Sequence, residues 1–328
     1  MTRIAVVTGG SGFIGRFLIR DLLSQGEFDR VVNIDLRQPV KPEPDEEVVI
    51  ADLRRPLSLD LGYFQAELSW IFNLAAACRE PGFEPREYFD INVNSAEHVT
   101  GWAESIGIRN IFFTSTMSSY GRMLQPTPEM ARQYPETPYG VSKTIAEKIH
   151  RIWLERGSER RLIICRPSVI FGPGDKENIP RMIKAVKKGY FLFPGDPDIV
   201  KGYGYVYGLI ASIGFIRRQE GRLIIYNYAE RECLSLRGMV KTIAAALPGG
   251  RSVRIIRLPM GLLVTAAYGF QLLSRLLGKT SPIHPVRVRK VAFPTNLKPQ
   301  YLIETGFEFE YPLETALEHW KKVAPDDF

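Results

Sequence analysis

The sequence predicts an α/β fold: a doubly wound parallel sheet with a smaller, mixed C-terminal lobe. Short runs rich in β-branched and aromatic residues alternate with longer amphipathic stretches through the first half. Those short runs are apolar throughout rather than alternating, which burial of a parallel sheet on both faces requires. After Arg166 the alternation stops and Pro, Gly and Tyr become dense, as in Gly172-Pro173-Gly174 and Gly202-Tyr203-Gly204-Tyr205. A chain of 328 residues, 45% hydrophobic and 24% charged, has the size and composition of one large globular domain with an added lobe. Disordered and fibrous classes are excluded.

Each element follows in order. Ile4–Val7, Val31–Ile34, Val48–Ile50, Ile71–Leu74, Ile111–Thr114 and Leu162–Cys165 read as strands. Phe13–Leu23, Arg86–Ser105 and Val141–Leu154 carry helical periodicity between them. The stretch from Asp35 to Val48 holds Pro39, Pro42 and Pro44 and reads as an exposed loop. We therefore expect a Rossmann-type domain over 1–166, with segments near 200–230 returning to the sheet, and a substrate lobe over 167–328.

The net charge of +7 suits a phosphate-bearing ligand. The basic residues read as scattered, apart from pairs such as Arg160-Arg161, Lys187-Lys188 and Arg217-Arg218, and no nucleic-acid-binding module is present. Cys78, Cys165 and Cys233 form no paired spacing and read as reduced packing residues of a cytoplasmic protein. The opening residues run straight into a strand and read as no signal peptide. Leu258–Leu277 is interrupted by Thr265, Gln271, Ser274 and Arg275, so it reads as a helix packed on the lobe; contact with a membrane surface is the alternative not favoured. His98, His150, His284 and His319 lack metal-ligand spacing, no metal is expected, and each reads as structural; His98 and His150 fall on predicted helices, where solvent or a partner subunit is the surface they could face.

Thr8-Gly9-Gly10-Ser11-Gly12-Phe13-Ile14-Gly15 joins the first strand to a helix. Glycines there permit a tight turn and close approach of the backbone to a pyrophosphate, and the helix N-terminus supplies N–H donors. Asp35, at the end of the second strand, is placed for both hydroxyls of an adenosine ribose and favours NAD. Arg37, two residues on, keeps NADP as the second choice. Asp52, after the third strand, is placed near an adenine amino group.

Tyr139 and Lys143 stand four residues apart at the start of a helix, on one face. A free phenol titrates near ~10, and an adjacent ammonium favours its phenolate, so Tyr139 can exchange a proton with an alcohol. Thr114-Ser115-Thr116-Met117-Ser118 supplies hydroxyls at the same end of the sheet.

With TGGSGFIG at 8–15, Asp52-Leu53, Asn73-Leu74-Ala75-Ala76, Asn92, the Thr116 region, Tyr139/Lys143 and Arg166-Pro167, the chain resembles the extended short-chain dehydrogenases/reductases over nearly its whole length. The resemblance implies that Thr116, with Ser115 as runner-up, hydrogen-bonds the reacting oxygen beside Tyr139 and Lys143. It implies a cofactor groove of Gly9, Gly12, Phe13, Ile14, Gly15, Asp35, Arg37, Asp52, Leu53, Leu74, Ala75, Ala76, Asn92, Thr114, Tyr139, Lys143 and Pro167. It also implies a homodimer through the helices near 92–106 and 140–155.

The chain is most similar to nucleotide-sugar epimerases and 4-ketoreductases. This implies 4-epimerisation by hydride transfer through a 4-keto sugar, with a 4-keto-sugar reductase as the alternative. Met117-Ser118 stand where sugar dehydratases carry an Asp-Glu pair, so dehydration is not expected. Val169 and Tyr207-Gly208 depart from the epimerase pattern and keep a steroid-type or other lipophilic alcohol dehydrogenase as a further alternative. Thr116, Ser118, Asn178 and Lys201 are the candidate substrate contacts, and Arg287 and Arg289 add positive charge near the lobe.

Overall fold

In the computed structural model the described residues are 2–80, 82–247, 249, 250, 252–261, 265, 266, 268–270, 274 and 292–328, with the side chains of Asn178 and Pro194 excepted. Thirteen strands are described: β1 (Ile4–Thr8), β2 (Arg30–Asp35), β3 (Glu46–Ile50), β4 (Trp70–Asn73), β5 (Asn110–Thr114), β6 (Met123–Thr127), β7 (Arg161–Pro167), β8 (Val169–Phe171), β9 (Tyr190–Pro194), β10 (Tyr203–Tyr205), β11 (Leu223–Tyr228), β12 (Arg254–Leu258) and β13 (Thr295–Leu297). The helices used below are α1 (Phe13–Gln25), α2 (Pro85–Ser105), α3 (Pro138–Glu155), α4 (Asn178–Lys187), α5 (Val206–Arg217), α6 (Leu236–Ala246), α7 (Gln300–Glu304) and α8 (Leu313–Val323).

Seven strands form one parallel sheet in the order β11-β7-β5-β4-β1-β2-β3. Ile4–Val7 at its centre are sealed from solvent, as their apolar run requires. One face packs on α1 and α5 through Leu18, Ile19, Leu22, Leu209 and Ile213. The other packs on α2 and α3 through Ala96, Val99, Trp102, Ala146 and Trp153. The chain runs outward from β1 to β2 and β3, then crosses back to β4, which opens a crevice at the carboxyl ends of β1 and β4. Open α/β sheets bind ligands at such a reversal.

The lobe has its own core, with Phe171, Phe193, Tyr203 and Trp320 enclosed by α4, α6 and α8. The boundary at residue 166 is crossed from both sides. Residues 206–228 return to the sheet, where α5 meets α1 and β11 pairs with β7. Residues 123–127 leave the first half as β6 to pair with β13. The sequence hides the second crossing because Met123–Thr127 shows no strand-like apolar run.

The expectation for His150 is corrected. It is fully buried, stacked on Phe113 with ring centres 4.0 Å apart, and its ring nitrogens meet the Ala146 carbonyl and the Asn73 amide. Its side of α3 faces the sheet, so it meets neither solvent nor a partner. His98 is partly buried against the Leu53 carbonyl. Half of 258–277, together with His284, Arg287 and Arg289, lies outside the described residues, and the described Tyr268 and Phe270 are exposed. Among the described residues no helix is long and apolar enough to cross a membrane.

Candidate active site

The glycine turn sits at the mouth of the crevice. Gly9 has φ +74°, and a Cβ there would stand 2.7 Å from the Ala75 nitrogen, so only glycine fits. A Cβ on Gly15 would meet the Gly9 carbonyl at 2.5 Å, which locks α1 against the turn. Gly12, the N-cap of α1, brings no capping side chain, and the first turn carries no acid. Free N–H groups and the positive end of the helix dipole therefore face the crevice. A cavity of about 430 Å³ opens there, lined by Ser11, Gly12, Phe13, Arg16 and Arg20 from the turn and α1, and by Pro173, Gly174 and Tyr207. Arg20 is paired with Glu43 at 2.9 Å. These groups fit the diphosphate of a dinucleotide: backbone donors, a glycine surface and guanidinium charge converge, and among the described residues no carboxylate lines the cavity.

Asp35 lies beside this cradle. Its carboxylate accepts from the Ser11 N–H at 3.1 Å and the Arg37 N–H at 3.2 Å. The Ser11 hydroxyl donates to the Arg37 carbonyl, so β2 and the glycine turn are laced together. The Arg37 side chain is exposed, and Ile14 packs toward the core.

Asp52 is clamped by Arg54, whose Nη2 donates at 2.7 Å and whose hydrogen bonds hold the Asp52 carboxyl below its ordinary value. Leu53 is buried in the core between the sheet and α2, so its side chain faces away from the crevice. Leu74, Ala75 and Ala76 follow β4 and are half-buried, with Ala75 against Gly9. Thr114 ends β5 and Pro167 ends β7 on the same side of the sheet.

Asn92 differs from expectation. It is buried, and its amide is committed to the backbone of Ala77, at 2.8 and 3.2 Å, and to the Ser142 hydroxyl at 2.9 Å. It braces the loop after β4 against α3.

Tyr139 and Lys143 occupy the first turns of α3. Thr137 caps that helix by accepting from the Gly140 N–H at 3.1 Å, and Pro138 follows it. A Cβ on Gly140 would stand 2.5 Å from the Ser118 carbonyl, so the helix can approach the 116–119 turn only with glycine there. That approach brings the Tyr139 side chain beside Thr116. Thr116 also accepts from the Ser118 N–H at 3.1 Å, which fixes its hydroxyl, and the half-buried Ser118 contributes its backbone.

Burial, with Cys78 nearby, pushes the Tyr139 phenol up, and the neighbouring Thr116 hydroxyl works the other way. Lys143 is 1% exposed, and burial brings its ammonium down to about 7 against the pull of Cys78 and Glu147. Its Nζ lies 4.1 Å from the centre of the Phe113 ring. Lys143 is thus held near its titration point, where a negative group close by decides its charge.

A buried network behind Lys143 escapes a reading of the sequence. Glu147, one helical turn on, accepts from the Ser115 hydroxyl, from Gln133 at 2.9 Å, and from two nitrogens of Arg166. The third Arg166 nitrogen donates to the Tyr120 hydroxyl at 2.7 Å. The i,i+4 spacing from Lys143 is the available signal. The network also engages Ser115, whose hydroxyl donates to Glu147, whereas Thr116 lies beside Tyr139.

Lys201 is largely buried and donates to the Phe293 carbonyl, and burial brings its ammonium down to about 8. Asn178 opens α4, with its side chain outside the described set.

Comparisons with known proteins follow this geometry. The profile of the NAD dependent epimerase/dehydratase family matches residues 5–222. The chain is 28% identical over 316 residues to the N-acetyl-alpha-D-glucosaminyl-diphospho-ditrans,octacis-undecaprenol 4-epimerase of Escherichia coli O157:H7, covering 95% of this chain and 92% of that protein. It is 27% identical to the Arabidopsis thaliana 3beta-hydroxysteroid-dehydrogenase/decarboxylase isoform 1, covering 88% and 71%. Among solved structures it resembles the UDP-N-acetylglucosamine 4-epimerase of Methanobrevibacter ruminantium M1, with TM-score 0.71, 18% identity, and 98% and 99% coverage. It likewise resembles the Thermus thermophilus UDP-glucose 4-epimerase in complex with NAD, with TM-score 0.70, 18% identity, and 97% and 99% coverage. Matched over two thirds of its length by that profile, this chain belongs to the NAD dependent epimerase/dehydratase family.

Proposed function

We propose that the protein is a 4-epimerase of a sugar joined to a diphosphate, as in a nucleotide sugar, with NAD as its cofactor. The observation that carries the reading is Tyr139 one helical turn from the buried Lys143, with Thr116 beside it, at the carboxyl end of the sheet. NAD, when bound, accepts a hydride from the sugar and returns it. Tyr139 takes the proton of the reacting hydroxyl and gives it back. Thr116 holds the same oxygen, and Lys143 favours the phenolate through its charge. Between the two transfers the 4-keto sugar turns within the site and presents its other face.

The Escherichia coli relative, by its name, acts on a sugar carried on diphospho-undecaprenol. This favours a second reading in which the diphosphate of the substrate ends in a polyprenol. We also place a homodimer contact on the outer faces of α2 and α3, where Ile152 is exposed.

The test is incubation with UDP-N-acetylglucosamine and, separately, with polyprenyl-diphospho-N-acetylglucosamine, without added reductant. Proton NMR of the released sugar should show the C4 epimer with at least one of them. Oxidation of NADH on addition of a nucleotide-linked 4-keto sugar, with no epimer formed from either 4-hydroxy substrate, would make the protein a reductase. No product from either substrate would overturn the reading.

A further inference from the structure

The positive charge of this chain is not scattered. Between Glu232 and Glu304 stand eleven lysines and arginines and no carboxylate, leaving 32 cations against 36 carboxylates elsewhere. The whole excess of +7 therefore comes from this stretch of the lobe. A second stretch behaves alike: from Asn178 to Gly195 there are four cations and no acid. The two meet in space, because β9 pairs with β12 and places Tyr190 opposite Arg254 and Leu192 opposite Ile256.

The second stretch is amphipathic in an unusual sense. α4 buries Ile179, Ile183 and Val186 in the lobe core and turns Arg181 and Lys184 outward, with Lys188 just beyond its end. Arg181 is paired with Glu177 at 3.2 Å, whereas Lys184 and Lys188 meet no carboxylate among the described residues. Beside these cations, Tyr190 and Leu192 leave 45% and 50% of their surface in water. Together they line a groove of about 300 Å³ with Ala185 and Phe191. Large apolar side chains beside such ammonium groups fit neither a solvated helix face nor a nucleic-acid site, where cations meet phosphates without exposed aliphatic groups. The combination matches the headgroup region of a bilayer, with cations at the phosphates and apolar tips below them.

We propose that the outer face of α4 and the adjoining strand β9 form a docking surface for a membrane leaflet rich in anionic lipid. The surface stands apart from the reaction assigned above and needs no substrate. Docking would hold the lobe, and with it the crevice, at the leaflet.

Flotation of the full-length protein with vesicles tests this. Vesicles of phosphatidylcholine with equal phosphatidylglycerol should carry the protein at low salt, and pure phosphatidylcholine vesicles should not. The pair K184Q/K188Q should lose roughly thirtyfold in apparent affinity, at the usual contribution of a cation near an anionic leaflet. The pair Y190S/L192S should weaken binding several-fold at high salt, where the apolar contribution dominates. No binding to the anionic vesicles would overturn the proposal, as would binding unchanged in both pairs. Release of the protein by equimolar duplex DNA with no effect of Y190S/L192S would make the face a nucleic-acid site instead. K184Q/K188Q alters only exposed side chains, so retained cofactor content and melting temperature will show that it folds. Turnover of a soluble substrate should be unchanged in it, which separates failure of docking from failure of the epimerase reading.

Discussion

The Arg166 guanidinium closes on the Glu147 carboxylate through two hydrogen bonds, Nε to Oε1 at 2.9 Å and Nη2 to Oε2 at 2.7 Å, with both side chains buried. Arg166 belongs to the sheet and Glu147 to the helix that carries Tyr139. The pair therefore fixes the distance between that helix and the strand ends. Arg166→Met would leave a buried carboxylate short of its partner and should destabilise the protein by about 3–5 kcal/mol. Combining it with Glu147→Gln should recover much of that loss. Urea denaturation of the two single variants and the double variant measures the coupling, and simple additivity would contradict it.

Tyr139→Phe removes the hydroxyl proposed to exchange the proton. Turnover should fall by a factor of at least ~100, with NAD content unchanged. Steady-state kinetics and the nucleotide released on denaturation check both halves. Activity close to the parent's would take Tyr139 out of the mechanism.

Lys143, at the proposed site, lowers stability. Its folded value is about 7, below the ordinary 10.5. The unfolded chain therefore binds more protons between those values, and stability should rise with pH from about 7 toward 10.5. Lys143→Met should flatten this slope and raise the melting temperature at pH 7 by about 2–4 °C for each kcal/mol regained, while abolishing turnover. Thermal melts at several pH values give the answer, and a parallel slope in the variant would refute it.

Glu230 has the opposite sign. Burial pushes its carboxyl up to about 8 from 4.5, and the Tyr205 N–H, at 3.4 Å, only partly offsets this. The folded state holds a proton that the unfolded chain releases, so this contribution is complete below 4.5 and is lost as pH rises to about 8. Glu230→Gln should leave stability near pH 4.5 almost unchanged and raise it at a pH above 8. Denaturant titrations at the two pH values decide.

Asp35→Ala should reduce the preference for NAD over NADP, because the carboxylate that repels a 2′-phosphate is gone and Arg37 remains beside it. The ratio of the two dissociation constants reads this directly. An unchanged ratio would remove Asp35 from ribose recognition.

The sheet is legible in the sequence because its inner strands are apolar runs, as in Ile4–Val7 and Leu162–Cys165, too short for helices and buried on both faces. Tyr139 and Lys143 are legible because four residues make one helical turn. Long-range partners are not. Asn92 reads as a cofactor ligand, yet Ala77 and Ser142, 15 and 50 residues away, use its whole amide. Nothing local to Glu147 announces that Arg166 will neutralise it. β6 is hidden because Gln125 and Pro126 break its apolar pattern, and its partner β13 lies in the last tenth or so of the chain.

The return of β11 to the sheet affects the order in which this chain can fold. Until residues 223–228 leave the ribosome, β7 has no neighbour on its outer side, and Leu162–Pro167 present a bare row of amide and carbonyl groups. The sheet can only be completed after the intervening stretch from 168 to 222 has been synthesised. A nascent chain halted in that interval should be sticky and in need of a chaperone, and a fragment cut at 166 should aggregate rather than stand as a domain.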